Sequence, residues 1–157
     1  MRFHIVGRSP TDAVRALGSD AVAVSGTVPD VRPYLQHAAV VVAPLRLARG
    51  LQNKILEAMA MGRPVVAAQE CAEALTAEPG SELLCAADAD AFVQAVDHLL
   101  REPQRAAAVG AAGRQHVMRH YSWDAHLACF DRHLGHLAEA PGPASGSAAR
   151  TTLECPA

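Results

Sequence analysis

Short apolar runs alternate along this chain with longer amphipathic stretches, the pattern of strands exchanging with helices. Residues 39–43 form an unbroken apolar run rich in β-branched Val, suited to a strand buried on both faces. After Pro44 and a basic loop at 45–50, good helix formers fill 51–61. Gly62 and Pro64 then follow in the order that stops a helix. A second apolar run occupies 64–68. Strand, loop, helix and strand within about thirty residues predict a βαβ unit with a right-handed crossover and parallel pairing.

The flanking segments extend the same scheme. Residues 3–7 read as a strand, and Ser9 or Thr11 is placed to cap a helix over 12–17. Residues 21–24 read as a second strand with a turn at 26–29, and Asp30 is placed to cap a short helix through 36. Beyond the central unit, 71–76 suit a short helix, Pro79-Gly80 marks a turn, and 83–86 suit a last short strand. Asp88 then opens a helix with Phe92, Val93, Val96, Leu99 and Leu100 on its inward face, and Pro103 opens another running to about residue 120. Ser122 is an N-cap for a final helix, on which Leu127, Phe130, Leu134 and Leu137 recur at spacings of three and four. The expected fold is α/β, a Rossmann-like parallel sheet flanked by helices. One domain spans 1–137, and 138–157, dominated by small and turn-forming residues, form a disordered tail.

Composition narrows the functional classes. The chain has 157 residues, 50% hydrophobic and 19% charged, enough for one domain with its own core. A net charge of -2 gives no overall pull toward nucleic acid or an anionic membrane, and no nucleic-acid partner is expected. Cys71, Cys85, Cys129 and Cys155 lack zinc-finger or CxxC spacing and read as reduced, buried or incidental thiols in a cytoplasmic protein. No apolar stretch has the length of a membrane span, so no transmembrane segment is expected.

The central helix carries the candidate chemistry. At 100° per residue Leu51, Ile55, Ala58 and Met59 share one face, while Asn53, Lys54 and Glu57 form a polar stripe. The stripe begins where free amides and the positive end of the helix dipole meet the loop carrying Arg46, Arg49 and Gly50, a place suited to a phosphate. Glu57, two turns in, can accept hydrogen bonds from ribose hydroxyls. The competing reading is an exposed Lys54–Glu57 pair of small worth beside solvated arginines. Asp88 and Asp90 are explained by helix capping, and Glu73 ahead of the Pro-Gly turn is a weak candidate. His4 and His37 have no partners at ligand spacing. His126, Cys129, His133 and His136 fall near one another on the final helix, but side chains along one straight helix cannot surround a tetrahedral ion. No metal and no cofactor is expected.

Pro44, Gly50 and the run from Lys54 to Val66 resemble the donor-binding signature of the retaining GT-B glycosyltransferases of family 4, with order, spacing and flanking strands in agreement. The likeness is greatest to the branch of sugar transferases associated with bacterial exopolysaccharide and exosortase systems. Ser122, between Tyr121 and Trp123, again resembles the family where it introduces its last helix. In that family two Glu stand eight positions apart, the second on the ribose and the first facing the donor sugar. Glu57 matches the second, whereas the first falls on Arg49, and Gln52 stands where the family tends to have Gly. The resemblance implies donor-nucleotide binding by Gly50, Leu51, Gln52, Asn53, Lys54 and Glu57, with Val28 a possible neighbour of the base unless 26–28 is an ordinary turn. It places Arg46 and Arg49 near the donor phosphate or sugar.

The resemblance covers the nucleotide-binding C-terminal half of a GT-B enzyme. It implies an N-terminal acceptor domain as missing partner, together with the opening strand and loop whose Arg and Lys clamp the diphosphate. The expected function is that of a glycosyltransferase fragment, inactive alone, which binds a nucleoside diphosphate sugar in bacterial exopolysaccharide or glycoconjugate synthesis. The full-length enzyme is expected in the cytoplasm or peripherally at the inner face of the cell membrane. The alternative is a non-catalytic nucleotide-binding remnant or truncated reading frame. In the family the final helix packs on the N-terminal domain, so an uncovered helix is expected to favour self-association.

Overall fold

The structure, a computed structural model, describes residues 1–45 and 50–124 together with 127, 128, 130 and 134. Strands and helices alternate as β1 (Phe3–Val6), α1 (Asp12–Arg15), β2 (Val22–Ser25), α2 (Arg32–His37), β3 (Val41–Ala43), α3 (Asn53–Ala60), β4 (Val65–Ala68), α4 (Gln69–Glu73) and β5 (Leu84–Ala86). Two helices, α5 (Ala89–Arg101) and α6 (Pro103–His120), close the order. Every strand pair is parallel, as α/β alternation requires. The described strands fall into two sheets, β1-β2 and β3-β4-β5. The one continuous sheet expected from the sequence is therefore interrupted between β1 and β3, which share no hydrogen-bonded ladder.

Local chemistry sets the element ends. Thr11, rather than Ser9, caps α1 by accepting from the Val14 amide. Asp30 holds the start of α2 by accepting from the Arg32 amide at 2.9 Å, one position earlier than the N-cap itself. Asp88 caps α5 by accepting from the Ala91 amide at 2.8 Å. At the end of α3, Gly62 takes the left-handed φ of 68°. The Gly62 amide donates to Met59 and the Arg63 amide to Ala58, closing a Schellman motif that satisfies the last carbonyls. Chain reversal there is what lets β4 follow within a few residues.

The core sits on both faces of β3-β4-β5. On one face Val65 and Ala67 of β4 meet Ile55, Ala58 and Met59 of α3, along with Cys71, Leu75 and Leu83. On the other face Val66 meets Ala86, Leu99 of α5 and Val109 of α6. The alternation along β4 is the period of a strand covered on both sides.

Two expected inward residues are exposed instead. Leu51 is 52% exposed, because α3 begins at Asn53 and the helical period does not extend back to it. Val93 is 68% exposed, because it falls outside the stripe of α5, formed by Ala91, Phe92, Ala95, Val96 and Leu99, that packs against the β3-β4-β5 sheet. By contrast, no residue before Ala43 is buried, so β1, α1 and β2 stand at the margin of the core. The short helix expected at 71–76 begins earlier, at Gln69. The tail at 138–157, the boundary at 137 and the four His and Cys of the last helix lie outside the described residues.

Candidate functional site

Helix α3 buries Ile55, Ala58 and Met59 and leaves Asn53, Lys54 and Glu57 exposed, so the polar stripe expected from the sequence is present. Its first turn carries no acidic residue, and among the described residues no N-cap side chain bonds to its amides. That end therefore keeps the positive character that suits an anion. Gly50, in left-handed backbone, and Leu51 are exposed immediately before it. The Gln52 side chain donates to the Gly50 carbonyl at 3.3 Å, tying the lead-in to itself. Val28 is half-buried in the turn after β2. Arg46 and Arg49 lie outside the described residues.

A cavity of about 480 Å³ opens at the carboxyl ends of β3, β4 and β5, where open α/β sheets bind ligands. Pro44 and Leu45 leave β3 into its wall, Ala68 and Glu70 leave β4, and residues 86–89 leave β5, with Phe92 of α5 completing it. Glu57 and Lys54 are not among the lining residues, although both belong to the neighbouring helix. The link between the two is Cys71, fully buried, whose thiol contacts the Leu45 carbonyl at 3.9 Å. Burial pushes this thiol up from its ordinary range. The Glu70 charge adds to the shift, while Lys54 and the Leu45 carbonyl contact oppose it. Lys54 and Glu70 thus act on one buried sulfur from two elements.

Sequence reading did not single out Glu70 or Phe92 as site residues, because neither stands in a spaced motif. It also passed over His116, which is buried on α6. The His116 Nδ1 is 2.8 Å from Glu82 and its Nε2 is 3.2 Å from the Leu75 carbonyl, which also accepts from the Tyr121 hydroxyl at 2.7 Å. Both ring nitrogens thus face oxygen partners. This cluster fastens α6 to the segment ahead of β5 and lies outside the cavity lining. Among the described residues no group of His, Cys, Asp and Glu is arranged to hold a metal ion, and no helix is long and apolar enough to cross a membrane.

The sequence profile described as "Glycosyl transferases group 1" matches residues 1–102. The chain is 40% identical over 76 residues to a GDP-mannose-dependent monoacylated alpha-(1-6)-phosphatidylinositol monomannoside mannosyltransferase of Corynebacterium glutamicum, covering 48% of this chain and 20% of the relative. It is 33% identical over 114 residues to the lipopolysaccharide core biosynthesis mannosyltransferase LpcC of Rhizobium leguminosarum bv. viciae, covering 71% and 32%. The match thus spans about a fifth to a third of these curated relatives. Among solved structures, HepE of Anabaena in complex with UDP aligns with a TM-score of 0.75 at 17% identity over 87% of this chain and 41% of that one. Sucrose-phosphate synthase of Thermosynechococcus elongatus aligns with a TM-score of 0.72 at 24% identity over 87% and 38%. These likenesses establish the α/β fold of the GT-B glycosyltransferases.

Proposed function

Since the chain belongs to the glycosyl transferases group 1 family, we propose that it forms the nucleotide-sugar-binding C-terminal half of a retaining family 4 enzyme. The observation that carries this reading is α3: a helix with no acidic residue in its first turn, positively ended, that follows a basic loop and presents Asn53, Lys54 and Glu57 to solvent. In the proposed complex the α3 amides, Lys54, Arg46 and Arg49 hold the diphosphate, stabilising the negative charge that grows as the sugar leaves. Glu57 accepts from the ribose hydroxyls, and Val28 lies by the base. The remaining half supplies the acceptor, so the chain alone transfers no sugar. The GDP-mannose dependence of the Corynebacterium glutamicum relative and the UDP bound in a solved neighbour support a nucleoside diphosphate sugar as donor. Synthesis of a bacterial exopolysaccharide or related glycoconjugate is the setting we infer, with a cytoplasmic enzyme that meets its acceptor at the inner membrane face.

Titration calorimetry with GDP and UDP tests the nucleotide role. The chain is expected to bind one of them weakly, and Glu57→Ala to weaken that binding by about 1–3 kcal/mol through loss of charge-assisted contacts. Equal affinity for both proteins excludes Glu57 from the site. Absence of nucleotide binding by the unmodified chain removes the reading itself.

A further inference from the structure

We propose that Glu70 is the side chain that reads the hydroxyl groups of the transferred sugar, an assignment that rests on the nucleotide-sugar reading above. The cavity at the strand ends is within the range of about 300–1,000 Å³ typical of small-molecule sites, and its walls are chiefly Pro, Leu, Ala and Phe92. Two carboxylates border it, Glu70 and Asp88. Asp88 is committed to the fold, since one of its oxygens takes the Ala91 amide at the start of α5. Glu70 is exposed and has no hydrogen-bond or ion-pair partner among the described residues. The cavity therefore offers one uncommitted acceptor pair set among apolar walls. Such a combination matches a pyranose, whose C–H faces pack on apolar carbon while its hydroxyls donate to a carboxylate.

The same carboxylate is unsuited to the diphosphate, which it would repel. The basic loop at 45–50 has the opposite character, with cations for the phosphates and no carboxylate acceptor for hydroxyls. The two regions adjoin. Leu45 both lines the cavity and begins the basic loop, and its carbonyl meets the buried Cys71 thiol next to Glu70 in the chain. Lys54, at the start of α3, lies close enough to act electrostatically on the same sulfur. A donor with its diphosphate at α3 thus has its sugar within reach of the cavity.

Binding of GDP, GDP-mannose, UDP and UDP-glucose to the full chain and to Glu70→Gln tests the assignment. The substitution is expected to leave the thermal melt and the affinity for the free nucleoside diphosphate unchanged. The affinity for the matching nucleotide sugar is expected to fall about tenfold, as for a lost charge-assisted contact. An unchanged affinity for the nucleotide sugar, with the free nucleotide still bound, overturns the role of Glu70 while leaving the nucleotide site standing. A parallel loss of free-nucleotide affinity also overturns it, because Glu70 would then serve the nucleotide. No binding of any of the four to the unmodified chain overturns the nucleotide reading and this one together.

Discussion

Cys71 shows how a residue without a motif acquires a defined environment. Its side chain is fully buried between α4 and the chain leaving β3. Burial, reinforced by Glu70, raises its thiol above the ordinary range, and burial followed by the Glu73 charge raises Cys85 as well. Because the thiolate is the nucleophile, both sites are expected to react slowly with iodoacetamide in the folded protein at mildly alkaline pH. Peptide mass spectrometry should find them alkylated at the rate of free cysteine only after denaturation, and rapid labelling of Cys71 in the native protein would contradict its burial. The sequence already suggested reduced, buried or incidental thiols, yet gave no sign that one of them adjoins the cavity. Contact between 45 and 71 is a product of the crossover, not of local spacing.

At the scale of elements, α6 is held to the rest of the fold by close backbone approach. A Cβ at Gly110 would clash with the Gly62 carbonyl, and one at Gly113 would lie 2.7 Å from the Glu82 carbonyl. Arg114 adds a hydrogen bond of 2.9 Å to the Ala60 carbonyl at the end of α3. In an exposed helix, Gly→Ala would gain about 1 kcal/mol of propensity. Here Gly110→Ala is expected to destabilise by about 1–3 kcal/mol, as backbone must move to admit the methyl group. Urea denaturation gives the sign directly, and a stabilised variant would refute the tight packing of α6 on α3. The limits of α6 were legible because Pro103 opens the helix and its residues are good helix formers. The role of its glycines was not, since a helical Gly looks merely weak until the facing backbone is known.

For the whole molecule, cover is uneven. Residues in β3, β4 and β5 meet core on both sides, whereas β1 and β2 pair only with each other and contain no buried residue. Hydrogen exchange should therefore reveal β1 and β2 opening with markedly lower protection than β4, and equal protection would show that the two sheets unfold as one unit. At the opposite end Trp123, Leu127, Phe130 and Leu134 are 80%, 49%, 57% and 61% exposed. Large apolar side chains at this spacing favour association. Leu127→Gln combined with Leu134→Gln is expected to make the chain more monomeric in sedimentation, with little loss of thermal stability. A monomeric unmodified chain strongly destabilised by these changes would mean that the stripe is packed into this domain's own core. The expectation of a helix there came from the Ser122 cap, the apolar periodicity and the family resemblance. Leu137, the fourth member, lies outside the described residues.

The sequence by itself determined the βαβ order, the stop of α3 at Gly62, the cap of α5 at Asp88 and the polar stripe of Asn53, Lys54 and Glu57. Each depends on backbone preferences or on a helical period within a few residues, so the local chain carries the information. Tertiary structure alone decided that the strands divide into two sheets, that Val93 and Leu51 face solvent, and that His116 pairs with Glu82. It also brought Leu45, Glu70 and Phe92 around one cavity. Those outcomes depend on which surfaces meet across distant segments, and burial is a property of the meeting surfaces rather than of either residue.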